Sequence, residues 1–278
     1  YGDYLAVQLS TAGMELLRDQ VIAALEKVLK PKGIVLRNDV PVREMEGLDR
    51  YVEVASGQVP ELVDLMEGES RFQDNLLHGQ KTGWFYDQAA NRQRMLPYVA
   101  GKRVLDLFSY AGAWGIRAVQ AGAQSATCVD VSATALEQVQ HNADLNKLPN
   151  QVSGLQGDAF DVMRDLRQSK QQFDVIVVDP PAFIKRRKDM KEGSLAYRRI
   201  NEAAMGLLSR DGLLISASCS FHMQEDRLLQ TLQQAARHMD RSIQLLEKGQ
   251  QGPDHPVHPA IPETAYLKAN YLRVLPAF

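Results

Sequence analysis

The chain has 278 residues, 45% apolar and 24% charged; at about 150 residues per domain this suits one large or two modest globular domains. These proportions exclude a disordered, collagen-like or disulfide-scaffold chain. With 32 basic against 34 acidic residues and a net charge of −2, a nucleic-acid partner has to be held by a local basic patch rather than by overall charge.

The segment from Tyr4 to about Leu76 mixes element types: an alternating strand over Tyr4 to Leu9, a helix, then short strand-like pieces. The helix is marked by Leu17, Val21, Leu25 and Val28 at helical spacing and is closed by Pro31-Lys32-Gly33. Residues 1–75 therefore read as a small α+β domain. The turn-rich passages Gly68-Glu69-Ser70 and Gly79 to Gly83 separate it from residues 76–278.

From about Gln88 short β-branched runs alternate regularly with amphipathic helices. Arg103 to Leu107, Ser125 to Asp130, Val152 to Gln156, Phe173 to Asp179 and Gly212 to Ser218 read as buried parallel strands, with helical spacing of Leu136, Val139 and Ala143 between two of them. The fold class predicted is α/β, a doubly wound Rossmann-like sheet preceded by the small α+β domain.

In such a sheet, ligands bind outside the carboxyl ends of the strands. The first of the five strands runs through Asp106 into Phe108-Ser109-Tyr110-Ala111-Gly112, where small residues at 111 to 113 let a ligand approach the backbone. The second ends in Asp130, placed to accept ribose hydroxyls; Asp158-Ala159 follow the third; the fourth ends in Asp179-Pro180-Pro181. A dinucleotide needs G-x-G-x-x-G with no carboxylate in the way, whereas only Gly112-x-x-Gly115 is present and Asp106 stands at the loop's entrance. S-adenosylmethionine has no phosphate and carries two positive groups, so an acidic entrance favours it as the cofactor. Each Asp taken singly also suits a helix cap or turn.

Cys219 ends the fifth strand on the same edge as Asp179, which suggests a nucleophile, while Cys128 inside an apolar strand reads as a buried small hydrophobe. Methylation at carbon 5 of a pyrimidine needs such a thiol. In such a reaction the thiolate adds at carbon 6 and carbon 5 then attacks the methyl group, and Asp179 is expected to contact the amidine edge of cytosine. Phe183 is a candidate stacking ring. Between residues 185 and 199 seven basic and two acidic residues give a local +5. Lys185, Arg186, Arg187 and Lys188 there are expected to track RNA phosphates, with Tyr197 as an interleaved stacking ring. His222 after Cys219 suits a proton acceptor or a structural role. His255-Pro256-Val257-His258-Pro259 reads as a turn, so no metal is expected.

Together these residues resemble the large-subunit ribosomal RNA methyltransferase I family of S-adenosylmethionine-dependent 5-methylcytosine enzymes. The likeness covers nearly the whole chain. It rests on His78-Gly79-Gln80-Lys81-Thr82-Gly83-Trp84-Phe85-Tyr86-Asp87-Gln88, Phe108 to Gly112, Asp179 to Phe183, Ser218-Cys219-Ser220, Asp254-His255-Pro256 and Tyr266-Leu267-Lys268. The resemblance implies a methyltransferase domain over 76–278 and donor-binding roles for Lys81, Asp106, Phe108, Tyr110, Ala111, Gly112, Asp130, Asp158 and Ala159. It also implies catalytic roles for Cys219 and Asp179, and ribosomal RNA as the substrate. By the same likeness an N-terminal RNA-binding PUA domain is expected before residue 1 and is not part of this sequence, in keeping with a fragment or processed product that opens at Tyr1 without Met. Related cytosine enzymes often keep a second cysteine after the fourth strand; Asp179 to Phe183 has none, which leaves the base for the carbon 5 proton unassigned. Two other readings stay open, an exocyclic-amine N-methyltransferase and a noncatalytic RNA-binding module, as does assembly into a homodimer. Two cysteines and no run of ~18 apolar residues point to a reducing cytoplasm and no membrane.

Overall fold

A computed structural model describes residues 1–79 and 82–277. The chain divides into two compact units, Tyr1–Glu67 with Arg71–Phe85, and Gly68–Ser70 with Tyr86–Phe278. The first contains β1 (Tyr4–Val7), α1 (Ala12–Leu16), α2 (Arg18–Leu29), β2 (Gly33–Arg37), α3 (Val42–Met45) and β3 (Val52–Gly57), followed by the hairpin strands β4 (Val63–Glu67) and β5 (Ser70–Asp74). β2 is central in a three-stranded sheet, parallel to β1 and antiparallel to β3. Its five residues are all buried, and Val35 packs with Val63 and Leu76. The helix expected from Leu17 to Val28 is α2, ended by Lys30 in the left-handed region at φ 49° just ahead of Pro31. None of its residues is fully buried, and Val28 is 75% exposed, so its apolar stripe covers the sheet only in part.

The second unit alternates strand and helix: α4 (Ala89–Met95), β6 (Arg103–Leu107), α5 (Ala113–Gln120), β7 (Ser125–Asp130), α6 (Ala133–Leu145), β8 (Val152–Gln156), α7 (Ala159–Gln168), β9 (Phe173–Val178), α8 (Met190–Met205), β10 (Leu208–Ser218) and α9 (Glu225–His238), closed by β11 (Arg241–Gly249) and β12 (Lys268–Pro276). The seven strands lie in the order β11-β12-β10-β9-β6-β7-β8. The five predicted strands run parallel; β12 enters between β10 and β11 antiparallel to both. The chain winds from β6 toward β8 and then returns to place β9 on the other side of β6, so strand order reverses between β6 and β9. In open α/β sheets ligands bind beside such a reversal, outside the carboxyl ends of the strands.

One face of the sheet carries Leu105, Leu107, Ile176, Val178, Leu214 and Leu272, packed on Met163, Ile200, Ala204, Leu228 and Leu232 of α7, α8 and α9. Each such Leu, Ile, Val or Met side chain, fully buried, contributes about 1.5–3 kcal/mol. β8 departs from the expected buried strand. It is the sheet's edge, and beyond Val152 its residues are exposed.

Candidate active site

Asp106 lies within β6 and is wholly buried, beneath the following loop rather than at its entrance. Its Oδ2 accepts the Gly115 N–H at 3.0 Å, while Oδ1 has no hydrogen-bond partner among the described residues. Burial pushes its carboxyl up to about 7, against the pull of that N–H, with the charges of Asp179 and Asp130 adding to the rise and Arg92 opposing it. The loop above it holds Phe108 at φ 62°, Tyr110 at φ 47° and Gly112 at φ 79°. The first two are strained positions for side-chain-bearing residues, each costing on the order of 1–3 kcal/mol, and such strain gathers where a ligand is clamped. A Cβ on Gly112 would meet Val139 at 3.1 Å, and one on Gly115 would meet Cys128 Sγ at 2.7 Å. These glycines are required by packing and turn geometry, while Ala111 is buried beside them.

Asp130 closes β7 and is fixed from two sides, Oδ2 accepting the Tyr110 N–H at 3.0 Å and Oδ1 the Ser132 N–H at 2.9 Å. Each oxygen keeps a second lone pair. Asp158 caps α7, its Oδ1 accepting the Phe160 N–H at 2.8 Å, and Ala159 is packed into the core. Lys81, also expected at the donor, lies outside the described residues.

The other half of the edge is built from β9, β10 and β12. Ser216 pairs with Val178, which sets Asp179 and Cys219 just past the ends of neighbouring parallel strands. Asp179 is half-buried; Oδ1 accepts Gln88 Nε2–H at 2.8 Å and Oδ2 accepts the Trp114 indole N–H at 3.1 Å. Desolvation raises its carboxyl above the usual range despite these donors. Cys219 is half-exposed, whereas Cys128 is buried and its thiol is pushed well up by desolvation.

The serines flanking Cys219 are held from α8. Ser218 Oγ donates to the Tyr197 hydroxyl at 2.8 Å, Tyr197 and Ser220 hydroxyls lie 3.0 Å apart, and Ser220 Oγ accepts the Ile184 N–H at 3.2 Å. Tyr197 is completely buried, so the expectation that it stacks on RNA fails: it faces the core, with its ring 4.9 Å from that of Phe183. The half-buried Phe183 ring thus packs tilted against a protein ring, at 57° between planes. From β12, whose Lys268 is in register with Ser218, the Lys268 ammonium donates to the carbonyls of Ser220 at 2.6 Å and Tyr266 at 2.8 Å. Tyr266 in turn donates its hydroxyl to Asp87 Oδ2 at 2.8 Å. Gln88, Trp114, Tyr266 and Lys268 stand at no predicted strand end and so carry no site signal of their own in the sequence, although three of the four lie in the stretches that carry the family resemblance.

Lys185, Arg186, Arg187 and Lys188 are all exposed, directly beyond Phe183. Arg186 is paired with Asp189 at 3.2 Å and Arg198 with Glu202 at 2.6 Å, which lowers the free positive charge of this stretch. His258 Nδ1 accepts the Ala260 N–H at 3.1 Å, as a turn does. Among the described residues no group of three metal-ligating side chains occurs and no helix is long and apolar enough to cross a membrane.

The edge suits a cationic nucleoside. Among the described residues the buried Asp106 Oδ1 has no hydrogen-bond donor, and an ammonium or sulfonium nearby would favour the ionised carboxylate. Comparison with known proteins agrees. Residues 40–273 match the family model described as S-adenosylmethionine-dependent methyltransferase. The chain is 37% identical over 275 residues to the ribosomal RNA large subunit methyltransferase I of Aeromonas salmonicida, covering 98% of this chain and 69% of that one. It is 35% identical to the protein of that name from Escherichia coli O139:H28, covering 99% and 70%. In fold it is similar to the SMU.776 chain solved in complex with SAH, at TM-score 0.85 and 24% identity over 98% and 70% of the two chains. It is also similar to the M. jannaschii tRNA m1G37 methyltransferase, at TM-score 0.70 and 17% identity over 98% and 72%. The chain belongs to the S-adenosylmethionine-dependent methyltransferase family, within its ribosomal RNA large subunit methyltransferase I group, and S-adenosylmethionine is its cofactor.

Proposed function

We propose that the chain methylates carbon 5 of a cytosine in large-subunit ribosomal RNA, in the cytoplasm, through a transient bond between the base and Cys219. The relatives' name supports the RNA substrate. The observation that carries the chemistry is the position of Cys219: half-exposed, just past β10, beside the end of β9 that carries Asp179.

S-adenosylmethionine supplies an electrophilic methyl group. On the β6–β7 side, Asp106, Phe108, Tyr110, Ala111, Gly112, Asp130, Asp158 and Ala159 line its place, Asp130 receiving the ribose hydroxyls on its remaining lone pairs. On the other side the Cys219 thiolate adds to carbon 6 of the base, and the electron pair released toward carbon 5 forms the new carbon–carbon bond to the donor's methyl group as that group's bond to sulfur breaks and neutral S-adenosylhomocysteine leaves. Loss of the carbon 5 proton to a base then re-forms the double bond as sulfur leaves. Asp179 holds the ring. Gln88 and Trp114 fix both carboxyl oxygens, and its raised affinity for a proton lets it donate to ring N3 while accepting from the exocyclic amine. Reaching the base requires unstacking it at a cost of a few kcal/mol, which the exposed Lys185–Lys188 loop helps to offset through phosphate contacts.

Replacing Cys219 by Ala is expected to lower methyl transfer by at least ~10³-fold with unchanged melting and unchanged S-adenosylmethionine binding. The checks are nucleoside mass spectrometry on ribosomal RNA and calorimetric titration of the donor. Retained turnover by the variant would overturn the thiol mechanism in favour of amine methylation. A chain that binds no donor would be a noncatalytic module.

A further inference from the structure

We propose that Lys268 is a positioning residue for Cys219: its ammonium, anchored on the backbone carbonyls of Ser220 and Tyr266, holds the neighbouring sulfur as the thiolate. The inference rests on the reading of Cys219 as nucleophile, and it assigns the device that readies that thiol.

Three observations place the charge there. Antiparallel pairing sets Lys268 opposite Ser218, the residue before Cys219, and its Nζ donates at 2.6 Å to the carbonyl of Ser220, the residue after it. A second N–H goes to the Tyr266 carbonyl at 2.8 Å, and Tyr266 is itself tied to Asp87, so the lysine is locked rather than waving. Lys268 is only 8% exposed, and Glu225, the carboxylate that faces it, is itself 3.8 Å from the Lys248 ammonium. Lysines are almost never buried to that degree unless an anion compensates them.

The charged and titratable groups facing this centre come from several elements. Tyr197 of α8 and Tyr266 ahead of β12 both feel the charge of Cys219, and burial pushes both phenols up, so neither supplies an anion at neutral pH. Glu225 of α9 faces Lys268, and Asp87 is occupied by Tyr266. Burial lowers Lys268 to about 8, while the charges of Cys219 and Glu225 push it back up. Interaction energies are mutual. Whatever the thiolate contributes to keeping Lys268 protonated, the ammonium contributes to keeping Cys219 ionised. The thiol proton goes to water, Lys268 stays an ammonium throughout, and the sulfur that adds to carbon 6 returns as thiolate when the adduct breaks.

The test is alkylation of the full chain by iodoacetamide across about pH 6 to 10, followed at Cys219 by peptide mass mapping, with buried Cys128 as the unreactive internal reference. In the wild type the midpoint is expected below the ~8.5 of a free thiol. Lys268→Met should raise it by about 1 pH unit and slow alkylation at neutral pH about tenfold, while Lys268→Arg stays near wild type. A wild-type midpoint at the free-thiol value overturns the proposal, whether or not Lys268→Met folds. So does a folded Lys268→Met with an unmoved midpoint, or a Lys268→Arg that shifts as far as Met. This readout needs no RNA and no donor, so failure of the thiol mechanism, read from turnover of the Cys219→Ala variant, is seen separately.

Discussion

The two halves of the carboxyl edge are made in different ways. At the β6–β7 end the key hydrogen bonds are mostly short in sequence: Asp130 is held by Ser132 two residues on and by Tyr110 twenty residues back, Asp106 by Gly115 nine residues on. The loop conformation itself, with Phe108 and Tyr110 in the left-handed region, carries the geometry. At the β9–β10–β12 end the corresponding bonds span 91 residues from Gln88 to Asp179, 48 from Lys268 to Ser220 and 179 from Tyr266 to Asp87. A site for a small cofactor can be built from one strained loop. A thiol proposed to react while exposed and ionised needs braces from several elements, because no single turn supplies a cation, a hydroxyl pair and an acid at once.

Asp106 gives the largest effect that would sharpen this contrast. Its folded carboxyl titrates near 7 against 3.8 unfolded, so the folded chain holds the proton more tightly. Between those values the unfolded chain binds fewer protons than the folded one, and stability falls as pH rises from about 4 through 7. The decline amounts to roughly 4 kcal/mol at most. Asp106→Asn should remove it, measured as the difference in unfolding free energy between wild type and variant at pH 4.5 and 8 or thereabouts. In the wild type the affinity for S-adenosylmethionine should rise through the same window, since a cationic ligand prefers the ionised carboxylate. A wild type and variant with parallel pH profiles would show that the β6–β7 end stores no such penalty.

Packing beneath the same loop is tested next. Gly115→Ala puts a Cβ at 2.7 Å from Cys128 Sγ and is expected to destabilise by about 1–3 kcal/mol. Adding Cys128→Ala should restore most of the stability in chemical denaturation. Absence of rescue would place the strain in the loop rather than between α5 and β7.

On the opposite half, Tyr197→Phe removes the hydroxyl that joins Ser218 and Ser220 and leaves buried polar groups short of a partner. A destabilisation of about 1–2 kcal/mol is expected. Because the Ser–Cys–Ser turn is then without its brace, kcat should also fall about tenfold with KM little changed. An unchanged kcat would mean that β12, through Lys268, holds the turn without help from α8.

The same contrast explains which parts of the molecule are legible in the sequence. The five parallel strands can be read because short apolar runs alternate with helices, and Asp106, Asp130 and Asp179 because they stand at or beside strand ends that those runs define. β11 and β12 escape such a reading: most of β11 is exposed or half-buried, without the apolar run that marks the other strands, and β12 follows a proline-rich turn. Lys268 looks like any surface lysine until the antiparallel register sets it beside Ser218. Tyr197 misleads because its neighbours in sequence are charged. The signal for its burial is nevertheless present in the helical recurrence of Gly193, Tyr197, Ile200 and Ala204, all buried on one face of α8. Asp158 shows the converse: its position at a strand end suits a ligand, and its Oδ1 caps a helix.

The smallest effect on the fold belongs to the basic loop, which shares neither kind of brace. Lys185, Arg187 and Lys188 are exposed, so replacing the three by Ala should change stability by no more than about 0.5 kcal/mol. RNA affinity is where they should count. Removing one phosphate-binding cation lowers the steepness of log affinity against log salt by about 0.7 to 0.9, read from filter binding or anisotropy over a salt series. Arg186 already has Asp189 as partner, so its replacement should move the slope less than any of the other three. A triple variant with wild-type affinity and an unchanged slope would detach this loop from the RNA and leave the substrate to be held elsewhere. A weakened variant with intact donor binding would show that the two ends of the sheet edge can be disabled independently, as their separate construction requires.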